Sequence, residues 1–295
     1  METATMADMG STAEMAGVTE PAGTTGAAGS AGATQAEPAL SLKGLAFSYD
    51  GKKTVFSDID LEVRPGEAFV VLGANGAGKS TLLNCMGGML TPTRGTVRVF
   101  GRPIETYSTN DLARLMGYVP QISNPTFEYT VRDYVVMGRA PHLGLLDVPG
   151  KTEYDKADEV LERMGITHLA DKFCSNISGG ERQQAQIARV LVQEAKIVLL
   201  DEPTNHLDYG NQLRIVKIVD SLVKQGLAVV MTSHNPDHAI LLNGTVGLLR
   251  RDGTMVHGPA EQIVTEESLR SLYDIDLNLV YIDKLHRTAC VAGSL

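Results

Sequence analysis

Apolar positions along the chain follow two different periods. "EAFVVLG" (67–73), "AKIVLLDEP" (195–203) and "LAVVMTSH" (227–234) are unbroken runs of β-branched and aliphatic residues, and "GTVGLLRRDG" (244–253) carries a shorter one. The first three lack polar alternation, which predicts strands buried on both faces of a mainly parallel sheet. "LSLKGLAFSYD" (40–50) and "GTVRVFG" (95–101) alternate instead, as antiparallel strands with one wetter face do. Between about 121 and 180 the apolar residues of "VRDYVVMGRA" and "KTEYDKADEVLERMGITHLADKF" recur at i, i+3 and i+4. That spacing predicts a helical insert dividing the sheet sequence. Near the end, "TEESLRSLYDI" predicts a short helix capped by Thr265, and "LNLVYID" predicts a last strand. No internal repeat is visible.

Composition changes this picture at one end. Residues 1–38 are mostly Ala, Gly, Thr, Met and Ser, with five acids (Glu2, Asp8, Glu14, Glu20, Glu37) and no Lys or Arg before Lys43. Neither a secretory signal nor a transit peptide has that make-up, so a disordered low-complexity arm is expected there. The expected organisation is therefore an arm (1–38), one α/β domain (39–258) with its helical part at about 121–180, and an extension of the same domain (259–295). Cys85, Cys174 and Cys290 are scattered and form no CxxC or Cys/His cluster, which reads as free thiols rather than a metal site. No apolar run reaches the roughly 18 residues of a spanning helix, so a membrane role would be peripheral. A net charge of −9 argues against nucleic acid as a partner.

The chemistry begins where the first buried strand ends. "GANGAGKS" (73–80) fits G-x-x-x-x-G-K-[ST], lies directly after "AFVVL" and opens the helix-like "STLLNCM". Gly73, Gly76 and Gly78 allow a tight turn whose N–H groups, with those of Ala74, Asn75 and Ala77 and the helix start at Lys79, Ser80 and Thr81, converge on phosphate oxygens. Lys79 is expected on the β- and γ-phosphates of ATP, and the Ser80 hydroxyl on Mg²⁺. The strand "KIVLL" ends on Asp201 and Glu202. Parallel strands of a doubly wound sheet end on one edge, so Asp201 is expected beside that Mg²⁺ and Glu202 nearer the γ-phosphate, polarising the attacking water.

A second helix mouth stands in "SGGERQQAQIARVL". Ser178 and Glu181 form a capping box, while Gly179 and Gly180 leave the N–H groups bare for an anion. One chain thus carries two phosphate-binding mouths but one lysine-bearing loop: either the second mouth is idle, or a head-to-tail dimer shares each nucleotide between two copies.

These elements together resemble the ATP-binding subunit of an ABC transporter. "SGGERQQ" is close to that family's LSGGQ signature, with Ile177 in place of the leucine. The resemblance spans about 40–290 and implies an α/β P-loop NTPase fold of ABC type: a mainly parallel core sheet, an N-terminal antiparallel β subdomain and a helical insert. It further implies that Tyr49 stacks on adenine and that Gln121 in "GYVPQ" contacts Mg²⁺ and water and senses the membrane subunit. By the same resemblance Asp208 in "TNHLD" communicates across the dimer, and His234 contacts the γ-phosphate. "VMGRAPHLGLL", "GNQLRIVKIV", "TSHNPDHAILL", "EESLRSLYDI" and "ACVAG" are similar to importer ATPases serving iron-siderophore, haem and cobalamin permeases, with molybdate or another metal chelate left open. The implied complex is two copies of this chain on the cytoplasmic face of the membrane, two copies of a polytopic permease and an extracytoplasmic binding protein. Repair and chromosome ATPases of the same superfamily separate the phosphate loop from the signature by long coiled coils, which are absent between Lys79 and Ser178. A non-hydrolysing regulatory module would not need Glu202 and His234.

Overall fold

Two sheets share the work of burial in the computed structural model, which describes residues 37–121, 128–144 and 146–293. The expected arm therefore lies outside the described residues, apart from its last two positions. The first sheet is antiparallel and four-stranded, β1 (Leu40–Ser48), β2 (Thr54–Val63), β4 (Arg94–Val99) and β5 (Arg102–Pro103), in the order β2-β1-β4-β5. Between β2 and β4 the chain contributes β3 (Ala68–Leu72) to the second sheet and then α1 (Lys79–Met86). The expected antiparallel β subdomain is thus present. β2 reads poorly from sequence because Asp58 takes a left-handed conformation (φ 54°) and the β1–β2 register shifts nearby, so the inward residues Phe56 and Ile59 fall three apart rather than two.

The second sheet has six strands. After α2 (Thr109–Leu115) comes β6 (Met116–Val119); α3 (Val131–Val136), α4 (Lys151–Arg163) and α5 (Gly179–Leu191) then intervene before β7 (Ile197–Leu200). α6 (Tyr209–Lys224), β8 (Ala228–Ser233), α7 (Pro236–Leu242), β9 (Thr245–Leu249) and β10 (Met255–Pro259) complete it. The order is β10-β9-β3-β8-β7-β6, parallel except for the β9–β10 hairpin. β3, β7 and β8 are buried at every position, as their unbroken apolar runs predict. Each fully buried Val, Leu or Phe there contributes about 1.5–3 kcal/mol. β6 is only four residues long, too short for its pattern to stand out in sequence even though Pro120 follows it.

The helical insert departs from expectation in two details, one being that "KTEYDKADEVLERMGITHLADKF" is α-helical only through Arg163 and then makes a 3-10 turn at Thr167–Leu169. "VRDYVVMGRA" is α-helical only through Val136 and continues as a 3-10 turn, Met137–His142, that ends at Pro141 and His142. Close packing accompanies this change: a Cβ at Gly138 would lie 2.0 Å from the Arg189 carbonyl of α5. Thr130 caps α3, Ser178 and Glu181 form the predicted capping box on α5, and Thr265 caps α9 (Glu266–Tyr273), which follows α8 (Ala260–Ile263). The last strand predicted, β11 (Leu277–Ile282), pairs with β12 (Arg287–Ala292). α7, α8, α9 and β11 close over Val70, Leu72, Val246 and Leu248 in a core cluster of their own. Cys85, Cys174 and Cys290 are free thiols. Among the described residues no helix is long and apolar enough to cross a membrane.

Candidate functional site

Because β3, β6, β7, β8 and β9 run parallel, their carboxyl ends meet along one edge. The segment after β3 is the glycine loop. Gly76 (φ 79°) and Gly78 (φ 101°) sit in the left-handed region, and a Cβ at Gly78 would come within 2.6 Å of Val55 Cγ1. The loop opens α1, and a cleft of about 630 Å³ lies over it, lined by Tyr49, Asp50, Lys53, Asn75–Thr81, Gln121, Glu202, Asn205 and Arg251 among others. That volume suits a nucleotide-sized ligand. Gly73 and Ala74 stand behind the lining: their carbonyls accept from Lys79 Nζ at 2.8 and 3.2 Å.

Lys79 is 4 % exposed, and its third acceptor is Glu202 Oε1 at 2.9 Å. Glu202 is itself buried in a left-handed conformation (φ 43°). Its Oε2 accepts from Gln121 Nε2 and from Asn205 Nδ2, both at 3.0 Å, and lies 3.8 Å from His234 Nδ1. The His234 imidazole and the Lys79 ammonium hold the Glu202 carboxyl down to about 2, against the upward push of burial. The imidazole contact, at 3.8 Å, is the longer of the two. Three residues singled out in sequence, Lys79, Gln121 and His234, reached from the ends of β3, β6 and β8, thus converge on the Glu202 carboxylate at the end of β7.

Asp201 is brought to the same edge but turned inward. It is 3 % exposed; Oδ1 accepts from the Thr232 hydroxyl at 2.8 Å, and Tyr118 approaches Oδ2 at 3.4 Å. Thr232 Oγ1 also accepts from the Glu202 N–H at 2.8 Å, so one hydroxyl fastens both acids. Burial and the Asp201 charge push the Tyr118 phenol well above its usual range. Thr232, Tyr118 and Asn205 escaped the sequence reading, although a threonine directly after the apolar "AVVM" is a visible signal.

No group of three His, Cys, Asp or Glu able to hold a metal exists among the described residues. The oxygens that line the cleft are those of Ser80 and Gln121, with Asp201 set behind them and held by Thr232 and Tyr118; all three are hard donors. They fit Mg²⁺ in the manner of phosphate sites, where the protein supplies one or two ligands and the nucleotide and water supply the rest.

Tyr49 is 69 % exposed, is set edge-on against Phe47 at 4.8 Å, and shares a 3.0 Å hydrogen bond between its hydroxyl and Thr81 Oγ1. The ring therefore stands free at the rim of the cleft. Ser178, Gly179, Gly180 and Glu181 do not line it. Their turn is capped by Ser178 accepting from Glu181 N, while Glu181 takes the Ser178 N–H at 2.8 Å, which lowers its pKa. A Cβ at Gly180 would lie 2.5 Å from Asn211 Cγ, and Asn211 donates to Asp208 through both its N–H (2.8 Å) and its amide (2.7 Å). The signature turn and the Asp208 cap of α6 are accordingly one patch.

The depressed carboxyl groups set an acid response. Glu202, and Glu194 held at about 2 by Lys156 and Arg139, both titrate below their ordinary 4.5. A folded-state pKa lowered in this way contributes stability that is complete above about 4.5 and is lost as pH falls toward about 2. Glu194 is half exposed and screened, so Glu202 is the larger contributor. Urea midpoints should fall as pH is lowered from about 5 to 3, and less steeply in Glu202→Gln. Equal slopes in the two proteins would remove the assignment.

Comparison with known proteins gives a consistent answer. The family model described as ABC transporter matches residues 56–205. The ferric enterobactin transport ATP-binding protein FepC of Escherichia coli is 33% identical over 82% of this chain and 89% of its own length. The molybdate import ATP-binding protein MolC of Haemophilus influenzae is 33% identical over 81% and 89%. A solved ABC transporter of metal-chelate type, captured inward-facing, superposes with a TM-score of 0.78 at 31% identity, covering 87% of this chain and 98% of that one.

Proposed function

Since this chain belongs to the ABC transporter ATP-binding family, an ATPase class coupled to transport, we propose that it powers import of an iron complex (siderophore or haem) or cobalamin through a partner permease. The observation that carries the catalytic half is the convergence of Lys79, Gln121 and His234 on Glu202 at the mouth of the phosphate loop. In this reading the loop amides and Lys79 hold the triphosphate, Tyr49 faces adenine, and His234 meets the γ-phosphate. Bound Mg²⁺, held by Ser80, Gln121 and Asp201, supplies charge neutralisation of the phosphate oxygens. Glu202 orients and polarises water, with Gln121 and Asn205 fixing its direction.

Two copies join head to tail, each presenting Ser178, Gly179, Gly180 and Glu181 to the other's nucleotide, with Asp208 at the seam. What favours this is that the signature turn is absent from the chain's own cleft, while Ser178 and Gly179 at its tip are exposed. The pair works on the cytoplasmic face of the membrane with two permease subunits and an extracytoplasmic binding protein. Cargo is argued from relatives: the ferric enterobactin and metal-chelate resemblances favour an iron complex, and the molybdate resemblance supports the second reading, a metal oxyanion.

The test is reconstitution with the permease that copurifies with it. Mg²⁺-dependent ATP hydrolysis and ATP-driven uptake of a ferric chelate are expected. Hydrolysis with uptake of molybdate alone would transfer the cargo assignment to the second reading, and no hydrolysis at any protein concentration would end the first part as well.

A further inference from the structure

The cleft contains a cation that none of the roles above uses. Arg251 lines it from the turn between β9 and β10, and among the described residues no hydrogen-bond or ion-pair partner is found for its guanidinium. Its neighbour Asp252 is committed elsewhere, accepting from Thr254 N at 2.9 Å and from Thr254 Oγ1 at 2.6 Å. The backbone of the turn is closed by Arg250 N to Thr254 O (2.9 Å) and Gly253 N to Arg250 O (3.1 Å).

That turn is also fastened to the phosphate loop. Ser57 N donates to Gly253 O at 3.1 Å, and a Cβ at Gly253 would lie 2.8 Å from Val55 O. Val55 in turn is the residue that a Cβ at Gly78 would strike. A fixed chain of contacts therefore runs from the mouth of α1 through Val55 to the base of Arg251. Sheet order says which side this is. β9 flanks β3 on one side, and β8 and β7, which carry His234 and Glu202, lie on the other. Arg251 lines the cleft from across the glycine loop, away from Glu202 and on the side of Lys53 and Val55. Lys53 is the other spare cation, but it stands in the loop of Asp50, whose carboxylate accepts its N–H at 3.0 Å.

We infer that Arg251 is a nucleotide-binding residue that clamps the sugar-proximal phosphates of ATP and ADP, completing the cleft opposite Lys79. A guanidinium is the group for this: it offers paired N–H donors to phosphate oxygens and stays charged at all working pH values. The inference rests on the reading of the cleft as a nucleotide site.

The test is displacement of a fluorescent ATP analogue from the full chain by ATP, ADP and adenosine. In Arg251→Ala, ATP and ADP should weaken together by about tenfold, the scale of one charge-assisted hydrogen bond, with adenosine unchanged. Arg250→Ala, which removes the same charge one residue away and outside the cleft lining, should bind all three as the wild type does. Unchanged ADP affinity in Arg251→Ala, a loss restricted to ATP, an equal loss for adenosine, or an equal loss in Arg250→Ala would each overturn the inference. A wild-type chain that fails to bind any of the three would instead bring down the nucleotide reading beneath it.

Discussion

Glu202→Gln should bind ATP and fail to turn it over, with kcat lower by about 10² to 10⁴, the scale of a lost general base. The carboxylate is fully ionised at neutral pH, since its pKa sits near 2 in the nucleotide-free chain. While Lys79 is 2.9 Å away it is also a poor base. Phosphate oxygens compete for the same ammonium, so ATP binding draws Lys79 off and leaves Glu202 more basic at the moment a water stands before it. Glutamine has the same shape but cannot accept that proton. It also faces a crowd of donors: Gln121 and Asn205 already direct N–H groups at one oxygen position and Lys79 at the other. Single-turnover hydrolysis and analogue binding, measured on the same preparation, decide the matter. With hydrolysis blocked, ATP should also convert the variant to a dimer by sedimentation. Turnover within a few-fold of wild type would remove Glu202 from the chemistry, and a strict monomer in ATP would remove the shared site.

Lys79→Ala should weaken ATP by about 10² in Kd, because a buried ammonium that satisfies phosphate with charge-assisted bonds is worth about 1.5–3 kcal/mol. Its three protons are all engaged without nucleotide, by Gly73 O, Ala74 O and Glu202 Oε1, so the side chain is already pointed into the loop. Alanine has a second effect. It strands the Glu202 charge in a buried position, and removing one partner of such a pair costs about 3–5 kcal/mol. Adding Glu202→Gln should recover part of that loss, because the two sites share one interaction. Titration calorimetry and urea melts of the single and double variants test both statements. An unchanged Kd for ATP, or strictly additive stabilities, would show that Lys79 lies outside the nucleotide site or is not coupled to Glu202.

How far the sequence reaches is clear from particular residues. The glycine loop, Asp201, Glu202 and the signature turn are each encoded by contiguous residues whose spacing carries the chemistry, and they could be read as such. β3, β7 and β8 were legible because strands buried on both faces leave no polar interruption. β2 hid behind its bulge at Asp58, and β6 behind its length. Thr232, Tyr118 and Asn205 hold the acids from neighbouring strands and loops, and a partnership of that kind exists only once the strand order is known. Arg251 is the extreme case: nothing local separates it from Arg250 until the β9–β10 turn is seen against Val55.

The C-terminal hairpin has a consequence for anyone who cuts this chain. Asp237, one residue into the helix that follows the His234 loop, takes the Cys290 N–H at 2.9 Å, and Leu269, Leu272 and Leu277 roof the outer side of β3 and β9. Trimming the gene after the sheet's last strand would therefore lay bare a greasy floor and unmoor the helix that follows His234. A tag or a scissile linker belongs after β12 and not between β10 and α8.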